Sequence, residues 1–110
     1  MSELPGTFEQ AVMLAVVRLG GGAYGRAILQ EAQARLDRDV AAGAVYSTLQ
    51  RLEDKGLLSS RLAAGTAARG GRPRRYYTVT TSGFEALNQA RSALDGLWHG
   101  LTWPLEGGRS

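Results

Sequence analysis

The chain has 110 residues, 44% hydrophobic and 21% charged, the proportions of one ordinary globular domain. It has no cysteine and a single histidine, His99, so disulfides, thiolate zinc sites and an all-histidine metal site within one chain are excluded. The net charge is +3, and it is unevenly placed. Residues 38–76 carry eight basic side chains (Arg38, Arg51, Lys55, Arg61, Arg69, Arg72, Arg74, Arg75) against three acids, which leaves the two ends mildly acidic.

A basic middle of this kind suits a surface that faces a polyanion, and the preference for Arg over Lys suits bidentate phosphate or guanine contacts. No apolar run approaches the roughly 18 residues of a membrane span. The start, Met-Ser-Glu-Leu-Pro-Gly, lacks the basic-then-apolar pattern of a signal peptide, so a cytoplasmic location is expected.

Pro5-Gly6 breaks the chain, and Thr7 with Gln10 predicts a capping box for a helix over Phe8 to Leu19. That helix is apolar nearly all round, which calls for burial on several sides, in part by a second subunit. Gly20-Gly21-Gly22 ends it. With Gly25 these glycines spell G-x-G-x-x-G, but a helix precedes them where a dinucleotide site needs a strand, so a turn is the sufficient reading. A second helix is predicted from about Tyr24 to Leu36, with Ile28, Ala32 and Leu36 on one face, and residues 37–43 form a link.

The third helix, about 43–56, is the informative one. Val45, Leu49 and Leu52 form a narrow apolar stripe, and Gly56 followed by Leu57 predicts a Schellman stop. Ser47, Gln50, Arg51 and Asp54 point away from the stripe, with Tyr46 on one flank and Thr48 and Lys55 on the other. Hydroxyls, an amide and an Arg on an exposed helix can reach base edges and phosphates in a major groove. A solvated helix face is the plain alternative, and the neighbouring elements decide between them. A helix, a short link and a second helix with a polar outer face is helix-turn-helix geometry.

Residues 57–63 alternate imperfectly, as a strand does, and Arg74 to Thr80 has strong β propensity. Between them lies a glycine-rich loop, expected to be flexible, with Arg69 and Arg72 in it. The two strands form a hairpin with a charged tip, a wing over about 57–80. Its arginines Arg69, Arg72, Arg74 and Arg75 are candidate phosphate or minor-groove contacts. Ser82 with Glu85 predicts a capping box for a last helix. Its positions Phe84, Leu87, Leu94, Trp98 and Leu101 follow a heptad spacing that Arg91 interrupts, the pattern of a dimerisation helix. Pro104 and Gly107-Gly108 predict a frayed tail.

The order of elements is that of a winged helix and, more narrowly, resembles the PadR family of bacterial transcriptional regulators. Tyr24-Gly25, the run Val45-Tyr46-Ser47-Thr48-Leu49-Gln50-Arg51-Leu52-Glu53-Asp54-Lys55-Gly56-Leu57-Leu58, and Gly71-Arg72-Pro73-Arg74-Arg75-Tyr76-Tyr77-Thr78-Val79-Thr80 before Gly83 carry the likeness. The resemblance spans about residues 8–101. It implies DNA contacts from Tyr46, Ser47, Gln50 and Arg51, backbone or minor-groove contacts from Arg72, Arg74 and Arg75, and a homodimer through the first and last helices. It also implies an aromatic small-molecule effector at the dimer interface, near Leu94, Trp98 and Trp103.

The expected fold class is mainly α with a small β-hairpin (α+β): a winged-helix DNA-binding domain over 1–80, a dimerisation helix over 81–104 and a tail over 105–110. The expected function is a dimeric, sequence-specific regulator, a repressor acting on a palindromic double-stranded DNA operator. No cofactor, metal site or enzymatic activity is expected, because no nucleophile, base or acid pair converges. The competing reading is a winged helix that binds protein. Such a module would more often show apolar residues at Tyr46, Gln50 and Arg51.

Overall fold

The computed structural model describes residues 3–102. They form α1 (Thr7–Leu19), α2 (Gly25–Leu36), α3 (Ala42–Asp54), β1 (Leu58–Ala63), β2 (Arg74–Val79) and α4 (Thr81–Trp98), with short 3-10 turns at Gly20–Gly22 and Ala67–Arg69. No helix among them is long and apolar enough to cross a membrane.

Helix α1 starts one residue earlier than its apolar pattern predicts, which puts Thr7 inside the first turn and out of capping position. Gly6 becomes the cap residue, and the Glu9 carboxylate reaches back to accept its N–H at 3.3 Å. Gln10 turns to donate to the Pro5 carbonyl at 2.9 Å. The three glycines after α1 form a single tight turn with Gly20 at φ +55°, and a helix, α2, follows. The G-x-G-x-x-G run is therefore a helix-to-helix connection. At the end of α2, Asp37 takes the left-handed conformation (φ 53°) that short polar side chains tolerate. The Gln33 side chain accepts the Val40 N–H at 3.1 Å and so fixes the link into α3.

The stripe on α3 is wider than the sequence suggested, because Thr48 joins Val45, Leu49 and Leu52 on the buried face. The spacing 45, 48, 49, 52 is that of a complete helical core face, so Thr48 leaves the outer surface. Helix α3 ends as predicted in a Schellman stop. Gly56 sits at φ +76°, its N–H donates to the Glu53 carbonyl, and the Leu57 N–H donates to the Leu52 carbonyl at 2.9 Å.

Strands β1 and β2 pair antiparallel in the register Leu58↔Val79 through Ala63↔Arg74. A further bridge between Tyr24 and Tyr76, with the Tyr77 N–H donating to the Ala23 carbonyl at 2.8 Å, ties the hairpin to the start of α2. The wing loop closes on itself through hydrogen bonds among its own residues. The Arg69 guanidinium donates to the carbonyls of Ala64 (2.6 Å) and Arg72 (3.4 Å), and the Gly71 N–H donates to Thr66 at 2.8 Å. Gly70 and Gly71 supply the two positive φ angles of that closure.

The core unites Val12, Met13 and Val16 of α1, Ile28 of α2, Val45, Leu49 and Leu52 of α3, and Leu58 and Val79 of the hairpin. Helix α4 is capped by Thr80, whose hydroxyl accepts the Gly83 N–H at 3.0 Å, in place of the expected Ser82. Ser82 lies two residues inside the helix. Only Gly83 and Ala90 of α4 are buried, and every residue from 91 to 102 is exposed, so the second half of the helix projects from the rest of the domain.

Gly83 lets α4 close on the hairpin. A Cβ there would overlap the Leu57 carbonyl oxygen and the Val79 side chain. Gly83→Ala is expected to lower stability by about 1–3 kcal/mol, the range for an overpacked site with a backbone neighbour. Urea unfolding measures it, and an unchanged midpoint would mean that α4 approaches the hairpin less closely.

Candidate nucleic-acid interface

The outer face of α3 begins with a turn of small residues, Ala42, Gly43 and Ala44, all exposed. Sequence reasoning did not select these three, because Ala and Gly carry no polar group. Their contribution is clearance: a helix with a small first turn can enter a groove deeply, and an Ala methyl suits a thymine methyl. Tyr46, Ser47 and Gln50 follow on the same exposed side. The Tyr46 ring lies directly over Gly25, where any Cβ would collide with it. This explains locally why Gly follows Tyr24: the opening of α2 must leave room for a tyrosine from α3. Gln50 Nε2 donates to Asp54 Oδ1 at 3.0 Å, one turn on.

Three predicted contact residues sit differently from expectation. Thr48 is 2% exposed, and its hydroxyl accepts an N–H of Arg51 at 3.2 Å, so it supports the helix from within and presents nothing outward. Arg51 and Lys55 are half-exposed, but both reach the same carboxylate oxygen of Glu9 on α1, at 3.3 and 3.2 Å. This cross-helix clamp joins residues 42 and 46 positions apart in the chain, and nothing in the local sequence pattern marks it.

The Glu9 side chain is only 14% exposed. Burial alone would raise its pKa, but the Lys55 ammonium, the Gly6 N–H and the Arg51 guanidinium together hold it below the ordinary 4.5. On the hairpin, burial and then the negative charge of Glu53 push the Tyr77 phenol above its ordinary 10.0, against the opposing influence of Arg75.

The wing arginines divide into two groups. Arg69 and Arg72 lie in the loop, where Arg69 braces the backbone and Arg72, exposed, donates one N–H to the Arg69 carbonyl at 3.4 Å. Arg74 and Arg75 lie on β2 and point to opposite faces. Arg75 donates to the Ser60 hydroxyl at 2.9 Å, which in turn donates to Glu53 at 2.7 Å, linking the hairpin to the end of α3. Arg74 stacks on the Tyr24 ring, 3.8 Å from its centroid.

At the other end of the molecule, Leu94 and Trp98 lie one turn apart on α4, both exposed, and Trp103 lies outside the described residues. An open apolar groove of about 300 Å³ runs between the end of α1, β2 and the start of α4, lined by Val16, Val17, Tyr77, Val79 and Phe84 among others. Among the described residues no cluster of His, Asp and Glu could hold a metal ion.

A helix-turn-helix with an exposed polar second helix, joined to a basic hairpin, defines a winged-helix DNA-binding protein. The sequence profile of the PadR-like family of transcriptional regulators matches residues 13–89. A PadR-family transcriptional regulator from Eggerthella lenta DSM 2243 is 31% identical, over 81% of this chain and 75% of that one, with a TM-score of 0.63. A PadR-like transcription factor from Bacteroides fragilis is 30% identical over 84% of each chain, with a TM-score of 0.69. A PadR-family regulator from Clostridium difficile R20291, at 22% identity and a TM-score of 0.66, shares the fold. Comparison with curated proteins finds no significant match. The chain belongs to the PadR-like family of transcriptional regulators, a family of regulators and not of enzymes.

The Glu9 clamp has a defined pH signature. Because the folded carboxyl titrates below 4.5, its contribution is fully present above that pH and is lost as pH falls through the lower, folded value. The partner cations are half in solvent, so the effect is about 1 kcal/mol or less. Glu9→Gln should lower the unfolding midpoint at neutral pH, and the difference from the wild type should shrink as pH falls through the lowered folded pKa. A loss that stays the same on acidification would count against the ion pairs.

Proposed function

We propose that the protein is a dimeric, sequence-specific DNA-binding repressor acting in the cytoplasm. The observation that carries this reading is the continuity of one surface. Tyr46 of α3 rests on Gly25, and the adjacent Tyr24 meets Arg74 and Tyr76 of the hairpin, so polar helix face and basic wing adjoin.

Tyr46, Ser47 and Gln50 are the proposed base readers, with Ala42 to Ala44 allowing close approach. Arg51 and Lys55 take a narrower role than the sequence suggested. With Glu9 engaged they orient α3 against α1 and offer their remaining N–H groups to phosphates. Arg69, Arg72, Arg74 and Arg75 supply wing contacts to the backbone or minor groove.

The homodimer reading rests on exposed apolar surface. Leu14 and Val17 of α1, and Phe84, Leu94, Leu97 and Trp98 of α4, are all at least 40% exposed in the isolated chain. Large apolar residues concentrated on two helices mark an interface. A two-fold axis through them would pair two recognition helices on a palindrome with half-sites about one helical turn apart. Leu94 and Trp98 would then border the interface and offer an aromatic effector a stacking surface whose occupation releases DNA.

Fluorescence anisotropy on DNA from upstream of the protein's own gene, against a scrambled duplex and across salt concentrations, tests the central reading. A preference of roughly a thousandfold with a steep salt slope supports a specific regulator. Weak, equal binding to both duplexes favours the protein-binding alternative. Gln50→Ala should cost about 1–3 kcal/mol on the specific site and little on scrambled DNA, whereas Arg72→Ala should weaken both. Equal losses for Gln50→Ala would remove it from the base readers. For the dimer, Leu97 is the most exposed of these apolar residues, at 76%. Leu97→Glu should shift sedimentation to the monomer while leaving the fold intact, and an unchanged dimer would move the interface off this part of α4.

A further inference from the structure

Two guanidiniums on the outer face of the hairpin, those of Arg61 and Arg74, each lie over a tyrosine ring. In the strand register Arg61 lies opposite Tyr76, and Tyr76 shares its face with Arg74. The Arg61 guanidinium stands 5.0 Å from the Tyr76 ring centroid, Tyr76 meets Tyr24 edge-on at 6.0 Å, and Arg74 lies 3.8 Å from the Tyr24 centroid. The four side chains form a ladder: Arg61, Tyr76, Tyr24, Arg74. Among the described residues neither arginine pairs with a carboxylate or donates to a hydrogen-bond acceptor.

This arrangement differs from that of the other cations in the same surface. Arg51 and Lys55 are taken up by Glu9, Arg69 by loop carbonyls and Arg75 by Ser60. A guanidinium stacked on a ring is held in place by its flat face, and the N–H groups around its edge stay open. Such a group is pre-positioned for a bidentate anion with little further loss of side-chain freedom. Within the ladder, Tyr24 precedes Gly25, on which the Tyr46 ring rests, so the ladder adjoins the exposed face of α3.

We infer that Arg61 and Arg74, mounted on Tyr76 and Tyr24, form a phosphate-binding strip on the outer face of the hairpin. It would grip the DNA backbone next to the groove that α3 enters. The inference rests on the DNA-binding reading above and adds to it Arg61, a residue of β1, and Tyr24, a residue at the opening of α2. Tyr24 and Tyr76 act as positioning residues in the strip, since they hold the arginines and need not touch the phosphates.

The test uses the full-length protein and a random-sequence duplex of roughly three helical turns, so that no operator need be known. Anisotropy titrations across salt concentrations compare the wild type with Arg61→Gln, Arg61→Lys, Tyr24→Phe, Tyr24→Leu and, as a reference for the wing tip, Arg72→Ala. Arg61→Gln is expected to weaken binding on the order of three- to tenfold and to reduce the log–log salt slope by about 0.9, one phosphate contact. Arg61→Lys should restore the slope, because the charge remains. Tyr24→Phe keeps the ring and should bind as the wild type does, while Tyr24→Leu should weaken binding. A wild-type slope for Arg61→Gln, with Arg72→Ala still reduced, would overturn the strip and leave the DNA reading intact: the ladder would then be packing alone. Absence of salt-dependent binding by the wild type would overturn both.

Discussion

The junction of Gly56, Leu57, Thr80 and Gly83 is the constraint from which the rest of the architecture follows. Gly56 ends α3 by adopting a positive φ, and its carbonyl then accepts the Thr80 hydroxyl at 2.7 Å. The next carbonyl, that of Leu57, accepts the Thr80 N–H at 3.1 Å and lies against Gly83. Four elements meet within these few atoms: the end of α3, both strand ends of the hairpin and the start of α4. Thr80 donates both its N–H and its hydroxyl across the junction, to Leu57 and Gly56, which makes the angle between helix and wing a property of the backbone more than of the surface side chains.

That rigidity has a functional reading. A recognition helix works only if it reaches the groove at the same angle as the wing reaches the backbone. The Glu9 clamp secures α3 against α1 from one side, and the Tyr24–Tyr76 bridge secures the hairpin to α2 from the other. Between them the exposed front of α3 carries small and polar residues whose side chains do little for stability. Several cations expected to face DNA are engaged within the chain: Arg51 and Lys55 by Glu9, Arg69 by loop carbonyls and Arg75 by Ser60.

Helix α4 stands apart from this platform. Past Ala90 it buries nothing in the isolated chain, and its leucines and tryptophan are turned outward. An isolated helix of that length gains most of its stability from packing, so a covered state is the physically consistent one. The proposed dimer would bring α1 and α4 into a single interface.

The sequence by itself determined the order of the elements and the stop of α3, while the caps of α1 and α4 fell one and two residues before the positions it marked. Helical spacing located α3, Gly56 marked its stop, and β-branched and aromatic residues marked the strand from Arg74. These signals are local, set by backbone geometry and side-chain periodicity, and they survive without any knowledge of the fold. The polar front at Tyr46, Ser47 and Gln50 was legible for the same reason. What only the tertiary structure decided were the pairings across long separations. Thr48 turned inward because the core needs a fourth residue on α3. Arg51 and Lys55 met Glu9 because α1 crosses beneath the end of α3. Arg61 and Tyr24 joined the surface only once strand register and the Tyr24–Tyr76 bridge set them beside Arg74. A residue's periodicity shows which way it points, but the partner it meets there depends on chain segments tens of residues away, and no local pattern encodes them.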